Sequence, residues 1–307
     1  MNKISNLLVF GATGTQGHPV VDAALEAGLD VFAVSRDGDK AEELLSARAQ
    51  VREADLLDAE GVAEVMHGMD AAFFHLPVMP HDPKADVMVD NVLNAARASG
   101  AQRLVFTSSA WWGDGMPADV FADGLAATAR KMLDSDVDTI VLRPTLYLAN
   151  LVWPHVICEL RDRGRLSYPP LHHRRRLNWT ATEDQAAIAV ACLDRAEAGE
   201  IIDVASPEAL TGPELCRLLV PVYGREIHYD PQSVDEFADT LTHMAGSAEV
   251  GRTVAGLYAG IDSLKGDGPL VDTEALERRF GVRLTPVSEW VEERLGALLE
   301  RFGHGRS

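Results

Sequence analysis

A chain of 307 residues, 47% hydrophobic and 24% charged, buries a large core and accommodates one large α/β domain or a domain with a smaller companion. Its net charge of −19 repels polyphosphate backbones and anionic lipid, which tells against nucleic-acid or membrane-surface binding and requires a local site for any anionic ligand. No run reaches the roughly 18–20 apolar residues of a membrane span, and the start Met1-Asn2-Lys3-Ile4 leads into a strand-like segment instead of a signal peptide, so a cytoplasmic address is expected. Cys158, Cys192 and Cys216 show no metal-ligand spacing and are expected to be free buried thiols; no metal site is expected.

In chain order, Leu7 to Phe10, Val31 to Ser35, Val51 to Ala54, Ala71 to Leu76, Leu104 to Ser108 and Thr139 to Leu142 read as buried strands. The segments between them are rich in Ala, Leu, Glu and Arg and long enough for right-handed helical crossovers. That rhythm predicts an α/β fold with a doubly wound parallel sheet. It breaks at Arg143-Pro144, where Arg143 is expected to brace the sixth strand. Leu151 to Leu177, with Pro154, Pro169, Pro170 and the run His172-His173-Arg174-Arg175-Arg176, reads as a substrate-facing insertion. The run would grip a carboxylate or phosphate, or else lie solvated on a loop. A helix from Glu183 to Arg195 and a strand from Ile201 to Ala205 return the chain to the sheet. The expected division is a dinucleotide domain of residues 1–150 plus 178–205 and a smaller α/β substrate lobe of 151–177 plus 206–307. A last helix, Val287 to Phe302, spaces Trp290, Val291, Leu295, Leu298, Leu299 and Phe302 as a core stripe.

The first strand runs straight into Gly11-Ala12-Thr13-Gly14-Thr15-Gln16-Gly17 and then into a helix. Gly11 permits the tight turn, Gly14 lets backbone approach a pyrophosphate, and Gly17 lets helix pack on strand, while free N–H groups at the helix start favour negative charge. Pro19 sits where its missing N–H costs little. The second strand ends in Ser35-Arg36-Asp37; Arg36, with Ser35 and Lys40 near it, suits a 2′-phosphate and favours NADP(H), although Asp37 keeps NAD(H) open. Asp55 and Leu56 close the third strand where an adenine ring would be bracketed. His75, beside Leu76 and Pro77, ends the fourth strand on the nicotinamide side of the cleft.

These residues resemble the NmrA-like family of atypical short-chain dehydrogenases/reductases, a family with the NAD(P)-binding Rossmann fold. The likeness runs along nearly the whole chain: the glycine turn, Val105-Phe106-Thr107-Ser108-Ser109, Ile140-Val141-Leu142-Arg143-Pro144, Tyr147-Leu148-Ala149-Asn150-Leu151, Trp179 to Asp184 and Leu276 to Glu292. It implies a cofactor-binding set of Gly11, Thr13, Gly14, Thr15, Gln16, Gly17, Arg36, Asp55, Leu56, Leu76, Pro77, Ser108 and Pro144. Catalytic members of the wider superfamily pair the strand-five serine with Tyr-x-x-x-Lys. Here Phe121 and Leu125 stand at that distance, and Val105 to Leu142 contains no tyrosine. Lys131 lies ten residues past Phe121, roughly 15 Å along a helix, too far to substitute.

No residue is therefore assigned as the catalyst. The candidates to meet a substrate are Ser109, with Ser108 as its alternative, Trp111 and Trp112 as an aromatic wall, and Tyr147, Asn150 and His155. Without the dyad, acceptors that yield delocalised anions are favoured over unactivated ketones. The sequence thus points to an NAD(P)H-dependent oxidoreductase that reduces a conjugated or quinone-like small molecule. Two alternatives stay open: a non-catalytic NADP(H) sensor that signals to a protein partner, and a non-redox biosynthetic enzyme on the same scaffold.

Overall fold

The computed structural model describes residues 3–113 and 115–297. Its first half alternates β1 (Asn6–Phe10), α1 (Gly17–Glu26), β2 (Asp30–Ser35), α2 (Gly38–Leu44), β3 (Gln50–Glu53), α3 (Ala59–Met66), β4 (Ala71–His75), α4 (Pro83–Ser99), β5 (Arg103–Thr107), α5 (Val120–Leu133) and β6 (Thr139–Pro144). Strand edges fall within two residues of those read from the sequence, and the sixth strand runs on through Pro144. After β6 come β7 (Leu146–Tyr147), α6 (Pro154–Cys158), β8 (Arg165–Leu166), β9 (Leu177–Thr180), α7 (Thr182–Arg195) and β10 (Ile201–Val204). The remainder holds β11 (Ala209–Leu210), α8 (Gly212–Tyr223), β12 (His228–Tyr229), α9 (Val234–Ala245), α10 (Ala248–Ser263), α11 (Thr273–Phe280) and α12 (Val287–Glu289).

Seven strands form one parallel sheet in the order β10-β6-β5-β4-β1-β2-β3. This is the doubly wound Rossmann order, with its switch point between β1 and β4, where a crevice opens beyond the strand ends. The central strands are covered on both faces, which explains their unbroken apolar runs. On one face Val20, Val21 and Ala24 of α1 meet Ile188 and Ala189 of α7 over Leu7, Val9 and Phe73. On the other, Met66 of α3, Val89 and Val92 of α4 and Met132 of α5 cover Leu8, Phe74 and Phe106. Leu276, Phe280 and Leu284 join the first face, so the stretch containing α11 packs with the sheet.

A separate cluster gathers Tyr168, Trp179, Leu215, Phe237, Tyr258 and Trp290 around the small strand sets β11-β9-β7 and β12-β8. The aromatic rings of Tyr168, Phe237 and Tyr258 pack edge-on or tilted at 5.0–5.8 Å. Val287, Trp290, Val291 and Leu295 are buried there, in keeping with a core stripe; Leu298, Leu299 and Phe302 lie outside the described residues.

The structure corrects two expectations. Cys192 and Cys216 are buried but Cys158 is exposed on α6, because that helix turns its Val156 face inward. The basic run divides: His172, His173 and Arg174 are exposed on a loop, whereas Arg175 donates to the Leu264 carbonyl at 2.9 Å and to those of Asp262 and Gly266, and Arg176 reaches the Ala209 carbonyl and Glu214, each at 2.6 Å. The guanidinium groups of Arg175 and Arg176 tie the lobe together.

Candidate cofactor cleft and active site

The turn between β1 and α1 is built to admit a ligand. Gly11 has φ 66°, and a Cβ there would stand 2.5 Å from His75 Nε2, while one on Gly17 would lie 2.3 Å from the Gly11 carbonyl oxygen. No side chain caps the start of α1. The His18 N–H donates to the Gly14 carbonyl at 3.0 Å, while the Gly17 N–H is left for an outside acceptor beside the positive end of the helix dipole.

A cavity of about 470 Å³ opens along this turn and the ends of β2, β3 and β4. Gly11, Thr13 and Gly14 form one end, Arg36 and Lys40 another, and Asp55, Leu56 and Pro77 complete it. Asp37 N-caps α2, accepting from the Lys40 N–H at 3.0 Å. That bond occupies Oδ1, and Asp37 lines this end of the cavity together with Arg36 and Lys40. Asp55 Oδ1 accepts from the Leu57 N–H, and the Leu56 carbonyl is held by Asn91 Nδ2, each at 2.9 Å. These bonds fix the third strand's end. A larger groove of about 730 Å³ runs outside α1, between that helix and α7; it includes Thr13, Gly14 and Thr15 but not the β2 end.

His75 forms the wall between this cavity and an adjoining one of about 410 Å³. Burial lowers its pKa, against a weaker opposing bond to the Leu76 carbonyl, so the ring is neutral. Its Nε2 is buried without a partner at the junction of the two cavities. An unsatisfied polar atom beside a glycine cradle fits a dinucleotide that passes from one cavity to the other.

The second cavity has Gln16, Ser108 and Ser109 on its polar side and Pro80, Phe121, Leu125 and Val250 on its apolar side. Ser108 is buried, and its one hydroxyl proton has the carbonyls of Ala110 at 2.8 Å and Leu142 at 3.2 Å as alternative acceptors. Ser109 has φ 63°, a strained setting for serine, and its hydroxyl meets the Gln16 amide. Phe121 and Leu125 do face the cavity, in the place of the missing dyad. Lys131 is tied to Asp86 and Asp90 of α4 at 3.1 and 2.9 Å.

Comparison with known proteins agrees with this geometry. Residues 11–148 match a family described as NAD(P)H-binding. That segment is similar to NAD(P)H-binding proteins. An NAD(P)H azoreductase of Xenophilus azovorans is 26% identical over 82% of this chain and 86% of its own length. Quinone oxidoreductase 2 of Escherichia coli is 24% identical over 82% of this chain and 90% of its own. The crystal structure of the Escherichia coli NADPH-dependent quinone oxidoreductase with NADPH shares the fold, with TM-score 0.76 and 22% identity over 94% of this chain and 99% of that one. The resemblance to NmrA-like reductases read from the motifs is thereby borne out.

The remaining candidates are distributed unevenly. Leu76 and Pro77 line the second cavity, Pro77 both. Pro144 is buried within β6 and lines neither. Trp111 and Trp112 do not wall the cavity either; both flank Arg143, whose guanidinium lies 5.5 and 4.9 Å from their rings. Arg143 in turn pairs with Asp203 of β10 at 2.5 Å and donates to the Trp112 carbonyl at 2.6 Å, bracing the sixth strand. Asn150 donates to Tyr168 Oη at 2.8 Å, and His155 packs beside Trp153 with both ring nitrogens buried and unpartnered. Neither lines the two cavities.

Tyr147 is buried, and its hydroxyl contacts the side-chain amides of Gln16 and Gln185. Burial pushes its phenol well above the ordinary value, against weaker bonds to Thr107 and Gln185. It stays neutral and behind the cavity wall. Gln185 and Thr107 were missed by sequence reading. Gln185 does carry a signal, a polar residue on the buried stripe of α7 that includes Ile188 and Ala189.

Proposed function

We propose that the protein is an NADPH-dependent reductase of conjugated small molecules of the quinone or azo class. The observation that carries this reading is the second cavity: it adjoins the cofactor cleft at His75, offers one serine hydroxyl, and sets Phe121 and Leu125 where a proton-donating tyrosine and its lysine would stand. The names of the azoreductase and quinone oxidoreductase relatives support it.

The glycine turn and the start of α1 would hold the pyrophosphate, Arg36 with Ser35 and Lys40 the 2′-phosphate, and Asp55 with Leu56 the adenine. When bound, NADPH supplies a hydride, two electrons and one proton. A quinone that accepts it takes a second proton from solvent and becomes a hydroquinone, leaving NADP⁺. Ser109 donates a hydrogen bond to the acceptor oxygen, where negative charge grows. Pro80, Phe121 and Val250 press on the faces of a planar acceptor and keep water from it. A simple ketone would instead become a basic alkoxide with no acid beside it.

No helix among the described residues is long and apolar enough to cross a membrane. The free thiols suit a reducing compartment such as the cytoplasm.

The test is NADPH oxidation against a panel of quinones, azo dyes, enones and aliphatic ketones, beside binding titrations of NADPH and NADH. Turnover of conjugated acceptors with NADPH preferred is expected. Tight NADPH binding with no turnover on the whole panel would replace the reductase by a cofactor sensor.

A further inference from the structure

The Gln185 side chain is fully buried; its Nε2 has no acceptor, while its Oε1 faces two hydroxyls, Tyr147 Oη at 2.6 Å and Thr107 Oγ1 at 3.1 Å. Tyr147 has one hydroxyl proton and stands against two amide oxygens, the second being Gln16 Oε1 at 3.0 Å. One proton cannot serve both, and the remaining contact would set lone pairs against each other.

Turning the Gln185 amide by half a turn, which exchanges groups of equal shape, removes the conflict. Nε2 then donates to Tyr147 and Thr107, Tyr147 donates to Gln16 Oε1, and Gln16 Nε2 donates to Ser109 Oγ at 3.1 Å. Turning Gln16 instead also removes it but runs the chain backwards and leaves both Gln185 N–H donors unmet. The first arrangement moves the Thr107 proton from Gln185 to Tyr147 Oη and leaves one carbonyl oxygen unmet, a smaller cost in a buried site than two unmet N–H donors.

We infer that Gln185, Tyr147 and Gln16 form a one-way hydrogen-bond chain in which Gln16 Nε2 donates to Ser109 and Gln16 Oε1, 3.2 Å from Ser109 Oγ, is already taken by Tyr147, so that the Ser109 proton turns into the substrate cavity. Ser109 and Gln16 both line that cavity, and the left-handed backbone at Ser109 sets its side chain against Gln16. Ser109 is the group that touches the acceptor; Gln16, Tyr147 and Gln185 are positioning residues that decide which way its hydroxyl points. The chain's use in catalysis rests on the reductase reading.

Gln16→Glu tests it without changing shape. When ionised, the introduced carboxylate only accepts, drawing the Ser109 proton away from the acceptor; when protonated, it donates to Ser109 and restores the chain. With menadione and saturating NADPH, kcat of the variant is expected to fall about tenfold or more at neutral pH and to recover as pH falls through the carboxyl titration. The wild type should lack that step. His75 and Asp82, which line the cavity, and Tyr147 are common to both proteins, so a difference between profiles belongs to position 16. NADPH affinity and melting temperature measured at each pH separate cofactor loss and unfolding from this effect. Parallel profiles would overturn the inference. Neutron diffraction of the D₂O-exchanged protein gives a readout free of turnover: a deuteron on Ser109 pointing into the cavity is expected, and one pointing at Gln16 overturns the chain. Absence of wild-type turnover would overturn the reductase reading alone.

Discussion

The imidazole of His75 closes over Gly11 so tightly that a Cβ on the glycine would lie 2.5 Å from His75 Nε2. Gly11→Ala therefore meets two penalties, the contact and the positive φ of 66°. A stability loss of about 1–3 kcal/mol is expected, with loss of NADPH binding, by urea unfolding and cofactor titration. Adding His75→Ala should return part of the stability. Unchanged NADPH affinity in the single variant would remove the turn from the cofactor site.

Arg36 is expected to carry the choice of cofactor. Arg36→Ala should raise KM for NADPH by about tenfold or more, the range of a lost charge-assisted hydrogen bond, and leave KM for NADH nearly unchanged. Equal losses with both cofactors would place the 2′-phosphate elsewhere.

Much of this was legible in the sequence. β1, β4 and β5 are covered on both faces, so their apolar runs stand out, and the turn after β1 needs glycine at Gly11 and Gly17 for reasons of local space. The lobe was not legible, because β7, β8, β11 and β12 are two residues long and stabilised by packing between distant segments. Trp111 and Trp112 mislead for a similar reason: Arg143, which stacks on them, comes from another strand. Gln185 reaches Tyr147 and Thr107 only once α7 lies on the sheet, although its place on a buried stripe marks it as a polar group in need of partners.

Arg103 is fully buried and joins β5 to the end of α7. It pairs with Asp138 at 2.8 Å and donates to the carbonyls of Cys192 at 2.7 Å and Leu193 at 3.0 Å. Arg103→Met strands all three acceptors and should cost about 3–5 kcal/mol in urea unfolding. Arg103→Met with Asp138→Asn should cost less than the two single changes summed.

Asp184 gives a pH dependence of known sign. Burial pushes its carboxyl up to about 6, against bonds from Ser206 Oγ at 2.7 Å and the Thr285 N–H at 2.9 Å. Between about pH 4 and 6 the native state holds a proton that the unfolded chain has released. Stability from this group is thus present in acid and lost as pH rises through that window, by roughly 2–3 kcal/mol. Asp184→Asn should flatten the melting-temperature profile there and be at least as stable as wild type at neutral pH. Profiles that stay parallel would contradict this.

The central claim is that a conjugated acceptor is reduced with no tyrosine–lysine pair, beside Phe121 and Leu125. Anaerobic incubation with NADPH and either menadione or cyclohexanone tests it most directly, following NADPH and product together. One NADPH oxidised per hydroquinone formed, with cyclohexanone left unreduced, is the result expected. Comparable reduction of cyclohexanone would contradict the account, since Phe121 and Leu125 stand where the tyrosine–lysine acid that protonates an alkoxide would be.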